Sequence, residues 1–403
     1  MGGENLNRED FPMLKQDMIY FDNGATSLKP QCVIDKIVDY YENYSANAHR
    51  GDYDISFKVD MEYENTRDLV KDFIHAKDKA EIVFTSGTTE SMNMIATGFF
   101  ARIIEPGDEI LITQSEHASN VLPWFELANR YGAVIKYIPL DENNYVTIEN
   151  VKKTITDKTK IISLAHITNV IGDIRPIKEI CSYAHQNNIF VIVDGAQSTP
   201  HKKIDVQDLD VDFFCFSAHK MCAPTGVGVL YGKLALLEEL VPINLGGGMN
   251  ESFDHVNEVF YKPLPTRLEA GTPNIAGVIG FGAAIQYLSE IGMDVIEERE
   301  HQLREYLISH LIDIPYLDII NIESDSAIVA FNAGTLFSQD VAYYLNKYNI
   351  CVRAGNHCAK ILKSKVGVTN TIRISLYFYN TEEEIDQLIE LLKDEEKIKK
   401  EMF

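Results

Sequence analysis

Residues 188–220 read NIFVIVDGAQSTPHKKIDVQDLDVDFFCFSAHK and contain two short apolar runs, each of which ends in polar residues. The first run ends in Asp194, and the second, VDFFCFS, is followed closely by Lys220. Apolar runs of this length between turn signals predict buried strands of a mostly parallel sheet. Because α/β sheets place their sites at the carboxyl ends of strands, we expect Asp194 and Lys220 to belong to one site.

The same alternation of strand-like and helical segments extends through the first part of the chain. The predicted strands are 81–86, 108–113, 133–139, 159–167, 188–194, 211–217 and 226–232. The predicted helices between them include 88–102, 121–131 and 177–187. This alternation favours an α/β fold in which helices cover both faces of the sheet.

Beyond residue 285 the pattern changes to that of a smaller α+β unit. It contains one long helical pattern over 284–312, predicted strands at 327–331, 350–352 and 373–379, and a last helix that opens with a Thr381–Glu384 capping box. We therefore expect an N-terminal arm over 1–20, a large unit over 21–285 and a small unit over 286–403.

Composition and charge exclude several classes of function. Lysine and arginine total 37 against 60 acidic residues, and a net charge of −23 argues against a nucleic-acid or membrane-surface partner. The chain has no P-loop, no cysteine–histidine cluster with metal spacing, and no apolar run long enough to span a membrane. Its six scattered cysteines form no CxxC pair, and the first residues lack a signal-peptide pattern, so we expect a cytoplasmic protein without a metal site.

Two motifs beyond strand ends favour a phosphorylated, ring-containing cofactor. In SGTTE, 86–90, a strand meets Gly87 and hydroxyl residues begin a helix, which favours phosphate binding, although simple helix capping explains the same pattern. Asp194 ends a buried strand, where a carboxylate needs a cationic or hydrogen-bonding partner such as a protonated ring nitrogen. The alternative for Asp194 is a helix N-cap.

Two further motifs supply reactive nitrogen atoms. Lys220 follows His219, and burial there would lower the lysine pKa and make the amine nucleophilic, whereas a lone lysine is more often solvated. His117 follows the strand 108–113 and either stacks on a planar ring, transfers protons or is structural. A phosphate cradle, an aspartate for a ring nitrogen, a stacking histidine and a lysine that holds an aldehyde as an imine are together what pyridoxal 5′-phosphate requires.

These motifs make the chain resemble a known family, the fold-type I pyridoxal-phosphate enzymes of the class V aminotransferase group. More narrowly it resembles the group II, or Suf-type, cysteine desulfurases. The most specific marks are DGAQ at 194–197, SAHK at 217–220 and RAGNHCA at 353–359. The resemblance covers almost the whole chain and implies a large domain with a mostly parallel seven-stranded sheet between helices and a smaller α+β C-terminal domain. It also implies a homodimer.

The resemblance assigns roles to individual residues. Lys220 is implied as the Schiff-base lysine and proton shuttle, His117 as a stacking and proton-transferring residue, and Cys358 as the sulfur acceptor. The implied cofactor-binding residues are Thr88, Thr89, His117, Asp194, Gln197, Ser217, His219, Lys220 and Thr272, the last reaching the phosphate of the other subunit. The implied substrate-binding residues are Asn169, Arg373, Arg353 and His49.

The implied reaction converts L-cysteine to L-alanine and leaves a persulfide on Cys358. The sulfur would then pass to a Suf-type shuttle or scaffold for iron–sulfur cluster assembly, or to other sulfur-containing cofactors. The chain departs from the family pattern at Asn356 and Lys360, beside the nucleophile, and at Gly24.

Three alternatives stay open at this stage. One is a selenocysteine lyase, since the same site can expel selenium. The second is an epimerase, transaminase or lyase that uses the cofactor without Cys358. The third is a non-catalytic protein that kept the fold.

Overall fold

The computed structural model describes residues 8–48, 51–362 and 370–402. In chain order its strands are β1 (Ile19–Tyr20), β2 (Ile82–Thr85), β3 (Glu109–Ile112), β4 (Val134–Tyr137), β5 (Thr159–Ala165), β6 (Phe190–Asp194), β7 (Phe213–Ser217), β8 (Gly228–Gly232), β9 (Asn250–Phe253), β10 (Val259–Tyr261), β11 (Leu317–Ile319), β12 (Ile328–Ala333), β13 (Ile350–Cys351), β14 (Arg353–Gly355) and β15 (Thr371–Ser375). Ten of these strands follow the apolar runs predicted from the sequence, whereas β1, β9, β10, β11 and β14 were not predicted.

Helices separate most of these strands. The α-helices of the described residues are Gln31–Asn43, Asp54–Phe73, Thr88–Met94, Leu122–Tyr131, Ile148–Thr154, Ile177–Gln186, Val206–Leu209, Leu234–Glu239, Ile275–Ile291, Met293–Leu311, Ser338–Asn346, Glu382–Leu392 and Glu395–Met402. The predicted helix 88–102 is helical along its length, but its winding changes from α to π and then to 3-10.

The seven predicted strands of the large unit form one seven-stranded sheet, in the order β2-β8-β7-β6-β5-β3-β4. Strand β8 is antiparallel to both of its neighbours, and the pairs from β7 to β4 are parallel. The predicted α/β fold with a mostly parallel sheet is therefore confirmed. Strands β2, β3, β5, β6 and β7 all end at the same edge, which places the sequence motifs that follow them side by side.

Both faces of this sheet are buried, as the continuous apolar runs predict. In β6, Val191 and Val193 pack into one core, whereas Ile192 between them packs into a second core on the opposite face. Side chains alternate across a strand, so a strand that is apolar at every position must have helices on both sides.

A second, four-stranded sheet lies in the C-terminal part, in the order β11-β12-β15-β14, and all of its pairs are antiparallel. It has its own apolar core with the helices Met293–Leu311 and Glu382–Leu392. Strand β1 pairs with β13, so residues 19–20 are attached to this unit. The domain limits at 20 and 285 stay predictions, and residue 285 lies within the helix Ile275–Ile291.

The long helical pattern over 284–312 is two helices rather than the single one expected. They meet at Gly292, whose φ of 93° lies in a region that glycine adopts readily, and the helix axes differ by 74°. No single helix of the described residues is long and apolar enough to cross a membrane, although this bent pair passes that test jointly. The predicted strand 373–379 is also wrong at its C-terminal end, because β15 ends at Ser375.

Candidate active site

A cavity of about 200 Å³ opens at the carboxyl edge of the seven-stranded sheet, between that sheet and the strands β14 and β15. Its wall contains most of the residues that the sequence motifs selected: Thr88, Thr89, His117, Asn169, Asp194, Gln197, Ser217, His219, Lys220, Arg353 and Arg373. These residues come from positions up to 285 apart in the chain, so the fold has assembled them into one site.

Lys220 and Asp194 both line the cavity, and burial shifts the pKa of each. Lys220 ends the 3-10 turn Ala218–Lys220 that follows β7, and its enclosure in the cavity lowers the lysine pKa to about 8. Asp194 is the last residue of β6 and is buried, which raises its carboxyl pKa to about 6 although Ala196 N donates a hydrogen bond to Oδ1 at 3.0 Å. The cavity thus holds an amine that deprotonates easily and a carboxylate in need of a cation.

His117 is held as a neutral imidazole. Burial lowers the His117 pKa to about 4, and the positive charges of Lys220, Arg353 and Arg373 act in the same direction. The main-chain N–H of Ser119 donates to His117 Nδ1 at 3.1 Å, so Nδ1 is an acceptor and the ring proton lies on Nε2. The Ser119 hydroxyl also joins His117 Nδ1 at 3.1 Å to the Thr89 hydroxyl at 2.7 Å.

Hydroxyl groups gather where the helix Thr88–Met94 begins. Thr88 N donates to Ser217 Oγ at 2.9 Å, and the two hydroxyls of Thr88 and Ser217 lie 2.8 Å apart. Gly87 adopts a φ of 154°, and a Cβ on Gly228 would come within 2.3 Å of the Gly87 Cα. The two glycines therefore permit a close approach of β8 to this turn and leave a small polar concavity there.

Two arginines from the C-terminal sheet complete the opposite wall. Arg353 and Arg373 are register partners on β14 and β15, and like charges placed directly opposite each other in a sheet are unfavourable. Arg373 is almost fully buried and donates to Asn169 O at 3.0 Å and to Asp22 Oδ1 at 2.8 Å. The pair creates a positive site next to Lys220.

Cys358 lies on a loop beside the cavity and is exposed, while its neighbour His357 lines the wall. The Cys358 carbonyl accepts a hydrogen bond from Ala118 N at 2.9 Å, and the His357 carbonyl accepts one from Asn169 Nδ2 at 2.6 Å. Cys358 is among the groups whose charge raises the Lys220 pKa, so the thiol lies within electrostatic reach of the lysine.

Of the predicted residues that the structure describes, Thr272 lies away from the cavity wall. It is exposed and receives a 3.4 Å hydrogen bond from Asn47 Nδ2. His49 lies outside the described residues. The roles of all of these residues stay predictions.

Several cavity residues were not selected from the sequence. Gly24 and Ala25 line the wall, and Ser119 fixes the ring of His117. The sequence contains two signals for them: the early motif that includes Gly24, and the Ser119 hydroxyl two residues after His117. Neither signal identifies a site residue by itself, because only folding brings these positions to the cavity.

The residues of this cavity fit pyridoxal 5′-phosphate. Several of its buried polar atoms lack a hydrogen-bond partner among the described residues, which indicates a polar ligand: Gln197 Oε1, Asn169 Oδ1, His357 Nδ1 and Arg373 Nε. Asp194 suits a protonated ring nitrogen, the hydroxyls near Thr88 suit a phosphate, and Lys220 suits an aldehyde.

Comparisons with known proteins agree with this fit. The family model for aminotransferase class V matches residues 19–388. A probable cysteine desulfurase of Halalkalibacterium halodurans is 45% identical to this chain over 94% of both chains. The crystal structure of the cysteine desulfurase CsdA from Escherichia coli has a TM-score of 0.92 at 34% identity over 98% of both chains. The apo structure of the cysteine desulfurase from Thermococcus onnurineus NA1 gives 0.93 at 36% identity over 99% of both.

Proposed function

The chain belongs to the aminotransferase class V family and is a pyridoxal-phosphate-dependent cysteine desulfurase, and from that premise we propose how its residues divide the work. Lys220, Asp194, Gln197 and the hydroxyls around Thr88 hold the cofactor, Arg353 and Arg373 bind the substrate carboxylate, and Cys358 accepts the sulfur. The observation that carries this proposal is the convergence of Lys220, Asp194 and both arginines on one cavity beside an exposed cysteine.

Substrate binding follows from charge and geometry. A cysteine carboxylate between Arg353 and Arg373 relieves the repulsion between two guanidinium groups that face each other across two strands. Arg373 is already oriented by Asp22 and Asn169, and its Nε has no partner among the described residues. An arginine oriented in this way contacts a carboxylate with little loss of side-chain freedom. This contact holds the amino group and sulfur of the substrate near Lys220.

Proton transfer follows from the lowered pKa values of Lys220 and His117. Bound pyridoxal phosphate supplies an electron sink that lets the substrate Cα lose its proton. Lys220 Nζ, with a pKa near 8, accepts and returns that proton, because a neutral amine is available at neutral to mildly basic pH. His117 stays neutral and presents an Nε2–H group as a hydrogen-bond donor.

Sulfur transfer requires Cys358 Sγ to approach the substrate sulfur. The Cys358 thiolate attacks that sulfur, an S–S bond forms, and the S–C bond of cysteine breaks. The carbon that loses sulfur gains a proton, so L-cysteine and the Cys358 thiol give L-alanine and a Cys358 persulfide. Atoms and electrons balance without an external oxidant.

The exposure of Cys358 supports delivery of its sulfur to another protein. An exposed persulfide is accessible to a Suf-type shuttle or scaffold protein, which would supply iron–sulfur cluster assembly or another sulfur-containing cofactor. Lys360, two residues away, is also exposed and would favour an acidic acceptor surface. All six cysteines are free thiols, which suits the reducing cytoplasm.

One experiment tests the reaction and its nucleophile together. Purified holoenzyme is incubated with L-cysteine, alanine is quantified, and the mass of the peptide that contains Cys358 is measured. We expect alanine and a mass gain of one sulfur atom on that peptide. The Cys358→Ala variant should lose turnover, whereas Cys32→Ala, which removes another exposed cysteine, should keep it. Alanine production by Cys358→Ala at the parent rate would reject Cys358 as the sulfur acceptor.

A further inference from the structure

The backbone around the nucleophile is held in an unusual conformation. His357 and Cys358 have φ angles of 48° and 60°, in the left-handed region that residues with side chains rarely adopt. The carbonyls of both residues are hydrogen-bonded to the large unit, Cys358 O by Ala118 N and His357 O by Asn169 Nδ2. A conformation of this kind persists only where the surrounding structure maintains it.

The two donors come from two different segments, which we define as the histidine segment, 113–120, and the asparagine segment, 166–175. The first carries His117 and Ala118, and the second carries Asn169. Each segment follows a strand, β3 or β5, at the carboxyl edge of the sheet. We call residues 356–362, which follow β14, the Cys358 loop. The direction of this loop therefore depends on how the two segments lie relative to each other.

Arg175 joins the two segments. Its guanidinium is fully buried, and it donates hydrogen bonds in both directions. In the histidine segment the acceptors are Glu116, Thr113 Oγ1 at 2.9 Å and Ser115 Oγ at 2.8 Å. In the asparagine segment the acceptor is Asp173 Oδ2 at 3.1 Å. A fifth acceptor, Ala165 O at 3.1 Å, lies at the end of β5. A planar fork of five N–H groups satisfies this arrangement, and a lysine ammonium does not.

The two carboxylates beside Arg175 are themselves tied to the main chain. Glu116 Oε2 accepts from Ala165 N and from Asn120 Nδ2, each at 2.8 Å, and Asp173 Oδ2 accepts from Val146 N at 3.1 Å. A buried group of three charges is not favoured over apolar packing for stability alone. Because its charged side chains come from both segments and are hydrogen-bonded to one another and to main-chain atoms, this group instead fixes a defined geometry between the segments.

We propose that Arg175 is a positioning residue for sulfur transfer: by joining the histidine and asparagine segments, it sets the direction in which the Cys358 loop presents its sulfur. The inference rests on the proposed role of Cys358. It does not place Arg175 in contact with substrate or cofactor, since Arg175 does not line the cavity.

Two variants weaken this arrangement at different points. Arg175→Lys keeps the charge but loses the planar fork. Ala118→Pro removes the N–H that reaches Cys358 O, at the first residue of the 3-10 turn Ala118–Asn120, where proline is well accepted. His117, which precedes it, has φ −67° and ψ 147°, a conformation compatible with a following proline. The matched control is Arg304→Lys, because Arg304 is equally buried and donates to main-chain carbonyls of the C-terminal unit rather than to either segment.

Three measurements are made on the holoenzymes. The first is the rate of persulfide formation on Cys358 in a single turnover with L-cysteine. The second is amide hydrogen exchange at Ala118, and the third is a spectroscopic titration of the bound cofactor with cysteine. We expect both Arg175→Lys and Ala118→Pro to slow persulfide formation about tenfold or more. The affinity for cysteine, measured by spectroscopic titration of the bound cofactor, should change less than about threefold in Ala118→Pro, since the groups that bind the substrate are intact. Protection of the Ala118 amide should fall at least about tenfold in Arg175→Lys.

The outcomes separate this inference from the proposed function. An unmodified Cys358 in the parent enzyme would reject the proposed function, while hydrogen exchange at Ala118 would still report on Arg175. Parent-like persulfide formation and Ala118 protection in Arg175→Lys would overturn the positioning role. Equal slowing in Arg175→Lys and Arg304→Lys would also overturn it, because the effect would then be a general loss of stability.

Discussion

At the scale of single residues, enclosure in the cavity changes the pKa of Lys220. Burial lowers its pKa to about 8, and the positive charges of Arg373 and Arg353 act in the same direction. The Asp194 carboxylate acts in the opposite direction and keeps the pKa from falling further. The lysine is therefore poised to act both as a base and as a nucleophile near neutral pH.

The first prediction concerns the titration of this lysine in the cofactor-free protein. Acylation of Lys220 by an amine-directed reagent should rise with pH around a midpoint of about 8, because only the neutral amine reacts. Asp194→Asn should move the midpoint lower, since it removes a charge that stabilises the protonated form. Mass spectrometry of the Lys220 peptide, over samples from neutral pH to about pH 11, measures the midpoint. A midpoint at the ordinary lysine value of 10.5 would contradict the prediction.

At the scale of elements, the cavity depends on close contact between strand β8 and the turn that follows β2. The two strands are paired, and the Gly228 backbone reaches the Gly87 turn that precedes the helix Thr88–Met94. Both contacting groups are main chain, so neither can rotate away as a side chain can. The position of the hydroxyls around Thr88 is thereby coupled to the packing of a strand far from them in sequence.

The second prediction tests this contact. Gly228→Ala would place a Cβ 2.3 Å from Gly87 Cα, which forces the turn to shift. We expect cofactor affinity to fall about tenfold or more, and the melting temperature to fall by about 2–4 °C or less for each kcal/mol of stability lost, because the chain is long. Equilibrium dialysis of the cofactor and calorimetry measure the two effects.

Gly232→Ala is the matched control for Gly228→Ala. It crowds the same strand, at 2.8 Å from a Leu237 side-chain atom, but at the end away from the cavity. It should reduce stability and leave cofactor affinity nearly unchanged. Equal losses of affinity in the two variants would show that the effect is not specific to the Gly87 turn.

At the scale of the whole molecule, the site contains residues of both units and of the segment 22–25. Asp22 forms a β-bridge with Ser375 and pairs with Arg373, and Gln197 Nε2 donates to Gly24 O at 2.8 Å. Asp22 and Gly24 therefore lie more than 150 positions in sequence from the residues that they contact, Arg373 and Gln197. Thr272, in contrast, is exposed and outside the cavity of its own chain. This is the arrangement expected if it serves the cavity of a second subunit.

The third prediction is active-site complementation between subunits. Lys220→Ala and Thr272→Ala homodimers should each have low activity, and mixing them with subunit exchange should restore about a quarter of the parent activity. Half of the dimers would then be mixed, and one of their two sites would have neither defect. Alanine production before and after exchange measures the recovery. No recovery, although mass spectrometry shows mixed dimers, would reject a site composed of two chains.

The sequence by itself predicted the seven strands of the large sheet, the α/β class and the principal chemical groups around the cavity. It did so because these features are local: an apolar run ends in Asp194 or shortly before Lys220, whatever the rest of the chain does. The Thr381–Glu384 capping box was correct for the same reason, since both of its hydrogen bonds lie within four residues. The resemblance then added residues such as Cys358, which no local pattern distinguishes from the other five cysteines.

Only the tertiary structure decided which distant residues meet. The strand order places β2 beside β8, Arg175 joins two loops, and Asp22 reaches Arg373 across 351 positions. The break at Gly292 also escaped the sequence pattern, because apolar periodicity continues through a residue whose backbone can turn. Local periodicity reports which face of an element is buried, but the packing of the whole chain determines what lies against that face.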